Sequence, residues 1–426
     1  MRIFISAHEI SPFLGSEART GWHLINLLSK DHEVIVFAAE TNQMKTESYL
    51  EHLNRYNELN PSTEKRFKIY FIDQPIITKI IASINKFFFS KLGPIGNPFL
   101  YFQGVKFWEL KVLFEVKRKI LIHGKPDAVH HLNHITFREP GFLWMLPYPF
   151  FWGPVSGSLI VKSDALNHRY QLQKLFIKIR NLLNVISMRF NFRVKIASKK
   201  AIKIYTVTSE DKIFFQKNTH KIEMLLDVGL NNSINERNKI PSSSKKLKII
   251  WAGRIDAFKS LDTLIHAVNQ SEYLQLNTMI SVFGDGPNYL EMKKITNDLN
   301  ITNIHFHGHV DHKSLKDHLL RADLLAHTSI KEASSSVVSE AIESNTPFLS
   351  HYAFGLVQFI DKGMGVGIEI KGFQENIENF KLELEAITKD RNILSELSEN
   401  IVKSKNEFSW DSIASKLSTN YINHRQ

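Results

Sequence analysis

Two glutamates stand eight residues apart in KEASSSVVSEAIESNTP, residues 331–347: Glu332 before a serine run and Glu340 after it. Carboxylates accept hydrogen bonds from sugar hydroxyls, and Ser334, Ser335 and Ser336 are helix-capping residue types. The first turn of a helix that starts there exposes N–H groups that attract phosphate. Val337, Val338, Ala341 and Ile342 recur at helical spacing, which puts Glu340 in the helix and Glu332 in the loop before it. A helix with two solvated acids would show the same pattern. Upstream, AGRIDAFKS sets Gly253 and Arg254 directly after an apolar run, with Lys259 five residues on. Arginine as a fork and lysine as a point charge can neutralise a diphosphate, and a glycine lets backbone approach it. FGDGPNYLEM brings Gly284 and Gly286 before a helix start at Pro287. The full G-x-G-x-x-G is absent because residue 289 is Tyr, so the turn is a poor match to a dinucleotide site.

These loops need strand ends to hold them. Short apolar runs alternate with helical patterns throughout, the mark of an α/β fold. RIFISA, a helix over about 19–30 and EVIVFAA open the first half, followed by FKIYFI, DAVHHL and FFWGPV. After a linker-like SSSKK at residues 242–246, a second series runs LKIIWAG, TMISVFGDG, IHFHG and DLLAHTS with helices between. Two doubly wound Rossmann-like domains facing a central cleft are expected. The expected division is residues 1–205, 206–408, and a C-terminal helix over 409–426 that crosses back to the first domain. Ligands of open α/β sheets bind beyond the carboxyl ends of the strands, where the loops above fall.

With 426 residues, the chain is long enough for two cores. It contains no cysteine, which removes disulfides, thiol nucleophiles and Cys-based zinc sites, and no Asp-x-Asp metal pair stands out. A cytoplasmic location fits, because the N-terminus lacks a secretory pattern and no run of about 18 apolar residues occurs. The net charge of +11 is uneven: residues 1–205 hold 29 Lys/Arg and 15 Asp/Glu. Residues 169–203 carry ten Lys/Arg and no acid, and Leu172, Leu175, Phe176, Ile179, Leu182, Leu183 and Ile186 recur there at helical period. A basic helix with an apolar stripe can lie on anionic lipid, or pack on its own domain with a wet basic face. The apolar, basic stretch at residues 79–119 has the same leaning. No nucleic-acid recognition motif accompanies the charge, so no nucleic acid is expected as partner.

Taken in order, the GRxxxxK, GDGP, IxFxGxV and E-x7-E segments resemble the retaining, GT-B-fold glycosyltransferases of family 4, closely over residues 247–350. SPFLGSEARTGW resembles the GSE-containing first loop of a bacterial surface-polysaccharide branch, and HHLNHITFREP…WGPVSG its HH…R…WGPxGG segment, with Arg138 at the R. FSWDSIASKLSTNY is similar to its C-terminal helix. The resemblance implies that Arg254 and Lys259 hold the nucleotide diphosphate and that Glu340 takes the ribose. It sets Glu332 near the reacting carbon of the donor sugar, with His131 or His134 on the other side of that sugar. The Gly15–Ser16–Glu17 loop falls near phosphates and acceptor. It further implies a UDP- or GDP-sugar donor, retention of configuration, no metal, and a lipid-linked or oligosaccharide acceptor at the inner face of the cytoplasmic membrane. Departures occur where the family often has Lys-Gly, Glu-Gly-Phe-Gly and a Gly-rich WGP segment: here stand Lys259-Ser260, Glu332-Ala333-Ser334-Ser335, and Ser156 and Ser158. These bear on donor identity and on the stiffness of the acceptor-side loop. A sugar-nucleotide epimerase would share the nucleotide residues, an oxidoreductase lacks the full glycine fingerprint, and a non-catalytic membrane or polyanion-binding protein would use only the basic half.

Overall fold

Runs of β-branched and aromatic residues such as RIFISA and EVIVFAA carry no polar alternation, because strands of a parallel sheet are buried on both faces. A computed structural model describes residues 1–40, 51, 67–89, 97–231 and 245–424. The expected linker at 242–246 lies outside these residues except for its last two, and the basic stretch at 79–119 is described except for 90–96.

Two compact units divide the chain. The first comprises residues 1–158, 187–227 and 410–426, and the second residues 159–186 and 228–409. This differs from a boundary at residue 205 in two places. Residues 159–186 belong to the second unit because Val161, Ala165, Leu166, Tyr170 and Ile177 bury themselves with Ala257 and Ile330. Asn167 also donates to the buried Asp262 carboxylate at 3.1 Å. Residues 206–227 stay with the first unit because they supply the last strand of its sheet.

The first unit holds β1 (Arg2–Ala7), β2 (Glu33–Glu40), β3 (Phe67–Asp73), β4 (Ala128–Asn133), β5 (Phe150–Val155), β6 (Ala201–Thr206) and β7 (Ile222–Met224). They form one parallel sheet in the order β3-β2-β1-β4-β5-β6-β7. The second unit holds β8 (Leu247–Ala252), β9 (Thr278–Phe283), β10 (Ile304–Gly308), β11 (Leu324–His327), β12 (Phe348–His351) and β13 (Gly365–Ile368). Their order, again all parallel, is β10-β9-β8-β11-β12-β13. Both are doubly wound Rossmann-like sheets. In each the chain reverses its direction of growth beside the first strand, between β1 and β4 and between β8 and β11, where such sheets open a crevice.

The C-terminal helix, Trp410–Asn423, is part of the first unit. Trp410 stacks on His23 with ring centroids 4.6 Å apart, and Ser418 meets His32 Nε2 at 2.7 Å. Fully buried Tyr421 reaches His130 on β4. His130 Nε2 donates to the Gly153 carbonyl at 2.7 Å, so its Nδ1 is the acceptor and the Tyr421 hydroxyl the donor. Tyr421→Phe leaves that buried nitrogen without a donor. The expected cost is about 1–3 kcal/mol, read as a lowered urea midpoint of unfolding, and an unchanged midpoint would show that the bond contributes nothing.

Candidate functional site

In the second unit the turns after β8 and β9 lie backbone against backbone. A Cβ on Gly284 would overlap the Gly253 carbonyl oxygen, and one on Gly286 would overlap that of Ile255. Gly253 (φ 153°) and Gly284 (φ 133°) also take backbone angles that side chains disfavour. Hydrogen bonds fix the register: Gly253 N to Phe283 O at 3.0 Å, Ile255 N to Asp285 O at 2.9 Å, and Gly284 N to Gly308 O at 2.7 Å.

Beside these turns opens a cavity of about 600 Å³, walled by Gly253, Arg254, Phe283, Gly284, Ser336 and Glu340 and by the 309–312 turn, among others. Arg254 points its guanidinium into solvent, 64% exposed, with Asp256 3.7 Å away. Glu340 lies in the Ser336–Glu343 helix, and its Oε1 is 3.2 Å from His312 Nδ1. Gly286 does not reach the wall.

Lys259 and Glu332 form an ion pair of their own. The Lys259 stem passes over Gly253. Behind Glu332 stands His327 at the end of β11, its Nε2 3.5 Å from the carboxylate and 3.1 Å from the Ser335 hydroxyl, its Nδ1 2.9 Å from the Ser350 hydroxyl. Burial lowers the His327 pKa and keeps the ring neutral at neutral pH. Burial also works against charge on Glu332, but the His327 hydrogen bond and the Lys259 ammonium outweigh it and hold its pKa down to about 2. A permanently ionised carboxylate beside a cation is the result.

Two serine positions depart from expectation. Ser335 occupies the cap position of its helix, yet its hydroxyl turns to His327 and makes no capping bond to the helix N–H groups. Ser260 sits in the left-handed region (φ 49°, ψ 44°), the conformation for which a Lys-Gly sequence is suited, and binds Thr263 Oγ1 at 2.9 Å instead. His327 escaped the sequence reading; a polar residue at the carboxyl end of a strand was its only signal.

In the first unit, the residues after β1 and β4 form a half-buried to buried polar group. Glu17 follows Gly15 and Ser16 at the start of the Ser16–Leu28 helix; Gly15 and Ser16 are exposed, and no atom lies within 4 Å of a Cβ on Gly15. Ile135 N donates to Glu17 Oε1 at 3.3 Å, and Asn133 Nδ2 bonds the carbonyls of Glu9 at 3.0 Å and Glu17 at 3.3 Å. Burial and the neighbouring Glu9 push the Glu17 pKa up to about 7.

The two candidate histidines differ. His131 is 1% exposed, and its Nε2 donates to the Glu139 carbonyl at 3.1 Å. Its Nδ1 lies 3.7 Å from Glu109 Oε1. Burial pushes His131 down to about 3 and Glu109 up to about 8, so a neutral imidazole faces a neutral acid. His131 is therefore enclosed by its own unit. His134 is 7% exposed, lies tilted against His8 with centroids 4.1 Å apart, and meets the Tyr101 hydroxyl at 3.4 Å; burial lowers its pKa to about 4. Arg138 lies over the Phe137 ring at 4.7 Å. Ser156 and Ser158 serve Asp211, which sequence reading passed over: Ser158 N and Oγ reach Asp211 Oδ1 at 2.9 and 2.5 Å, and Ser156 adds a side-chain bond. Among the described residues no group of three or more His, Asp or Glu could hold a metal ion.

Glu17 keeps its proton in the folded unit between its ordinary value of 4.5 and about 7, where the unfolded chain has lost it. The stability this contributes is whole below about pH 4.5 and lost as pH rises through about 7. Glu17→Gln removes that loss. The variant should be more stable than the parent above neutrality by about 3 kcal/mol, the gain closing toward pH 4.5, as urea midpoints across this range would record.

Comparison with known proteins agrees with the fold. Residues 232–405 match the family model of glycosyl transferases group 1. The phosphatidylinositol N-acetylglucosaminyltransferase GPI3 subunit of Saccharomyces cerevisiae is 22% identical over 184 residues, 39% of this chain and 41% of the yeast protein. Among solved structures, WaaG, a glycosyltransferase involved in lipopolysaccharide biosynthesis, is similar with a TM-score of 0.55 and 18% identity over 97% of this chain and 98% of its own. HepE of Anabaena in complex with UDP gives 0.59 and 13% over 99% and 100%. The second unit thus carries a glycosyl transferases group 1 match, on a chain with the GT-B fold.

Proposed function

We propose that the protein transfers a sugar, with retention of configuration, from a UDP- or GDP-sugar to a lipid-linked glycan acceptor in the synthesis of a surface polysaccharide. The observation that carries this reading is the juxtaposition in one unit of the Arg254–Glu340 cavity and the Lys259–Glu332 pair beside tightly packed glycine turns. Glu340 accepts from the ribose diol, Arg254 and Lys259 face the diphosphate, and the N–H groups that Ser335 leaves uncapped add positive potential. HepE, similar in fold, is known in complex with UDP.

Transfer breaks the bond between the anomeric carbon and the diphosphate oxygen and forms one to the acceptor oxygen. The acceptor's proton goes to the departing phosphate oxygen. Negative charge grows on the diphosphate as positive character grows on the carbon. Lys259 exchanges its bond to Glu332 for one to the diphosphate, and the released carboxylate faces the donor sugar. No step of this scheme calls on a metal ion. In the first unit Glu17, His134 and Arg138 are assigned to the acceptor.

Calorimetric titration with UDP and GDP tests the donor half. One of the two binds, and Lys259→Ala weakens it about 10- to 100-fold, the loss of a charge-assisted bond; equal affinity in the variant would remove Lys259 from the site.

The acceptor half rests on the helix Gln171–Phe190. Its stripe Leu172, Leu175, Phe176, Ile179, Leu182, Leu183 and Ile186 is 44–71% exposed, whereas Ile177 and Asn184 turn inward. Packing on its own unit thus uses the other face. Exposed Lys178 and Arg189 flank the stripe, and no helix among the described residues is long and apolar enough to cross a membrane. Docking on the anionic inner face of the cytoplasmic membrane follows as part of the proposal. The protein should sediment with anionic but not neutral liposomes at low salt and be released as salt rises; equal recovery in both supernatants would end the docking idea.

A further inference from the structure

We infer that His312 competes with the donor's ribose for Glu340, so that the imidazole gates entry of the nucleotide. The inference rests on the reading of the cavity as a nucleotide site. His312 opens the His312–Arg321 helix, and its side chain is 74% exposed while that of Glu340 is only 19%. Its Nδ1 stands 3.2 Å from the Glu340 oxygen, and both residues wall the cavity. The helix does not need His312 as its cap, because Asp311 accepts from Ser314 N at 2.7 Å. Glu340 is fixed by its helix, but an exposed imidazole at a helix start can swing into water. A ribose diol that donates to this carboxylate needs the place where the ring now stands.

Other charges face the pair from each neighbouring element. On the helix of Glu340, Glu343 binds Lys316 at 3.4 Å. From the turns come Arg254 with Asp256, and Asp285; from the 309–312 turn, His309 and Asp311. His307 and His318 lie on the Phe283 ring, with centroids 4.7 and 4.6 Å from it. The contact between His312 and Glu340 must be broken before the diol can bind, and deleting the ring removes the competitor.

Isothermal titration of the full chain with UDP-glucose and GDP-mannose, in the parent and in two variants, separates the possibilities. His312→Ala and His312→Leu should both bind the sugar nucleotide about two- to fivefold tighter than the parent, the strength of one exposed polar contact. Binding in both variants that equals the parent's or is weaker overturns the inference and leaves the nucleotide site standing. Absence of binding in every protein overturns the cavity reading and the inference together.

Discussion

The backbones of the turns after β8 and β9 touch so closely that nothing larger than glycine fits at Gly284 or Gly286. The rest of the second unit's site depends on that contact. Parallel strands end in register, so their following turns crowd together unless one or both lack side chains. With Gly253 N bound to Phe283 O and Gly284 N to Gly308 O, three successive strand ends are tied into one rim. Arg254 is aimed from that rim, the Lys259 stem runs over it, and the wall between them and Glu340 remains open as the cavity.

The two units treat charge in opposite ways. In the second, Glu332 stays ionised despite burial because Lys259 is beside it, and Arg254 remains wet. Fixed charges of this kind suit a ligand that is itself charged. In the first, burial outweighs pairing: His8, His131 and His134 are driven toward the neutral ring, and Glu17 and Glu109 toward the neutral acid. Such groups offer hydrogen bonds without field, which suits recognition of hydroxyls.

Much of this was legible in the sequence, for physical reasons that can be named. The strands RIFISA, EVIVFAA and LKIIWA declared themselves because two-sided burial demands continuous apolar runs, and the glycine turns because only glycine tolerates the approach. What stayed hidden depended on which face a side chain takes. HH in β4 reads as one motif, yet alternation sends His130 to the C-terminal helix and His131 to Glu109. The period of Leu172 to Ile186 marks a helix without saying that its apolar stripe is the exposed side. Unit membership of residues 159–186 rests on a small cluster formed with Ala257 and Ile330, contacts that no local pattern announces.

The serines in place of glycines show how departures from a family pattern can be absorbed by new bonds. Ser156 and Ser158 bind the buried Asp211, a carboxylate that burial alone would push toward protonation, and Gly157 between them keeps the left-handed angle (φ 102°) that the turn requires. Ser260 accepts the same kind of backbone angle and ties its hydroxyl to Thr263. Ser335 reaches His327, which in turn faces Glu332. Each hydroxyl exchanges glycine's freedom for a fixed partner. Around Glu332 that exchange links the loop to Ser350 on the next strand through one imidazole, so the carboxylate is held from behind as well as by Lys259. His327, bonded to Ser335 and Ser350, thus backs Glu332 from the strand end, while Lys259 pairs with it from the other side.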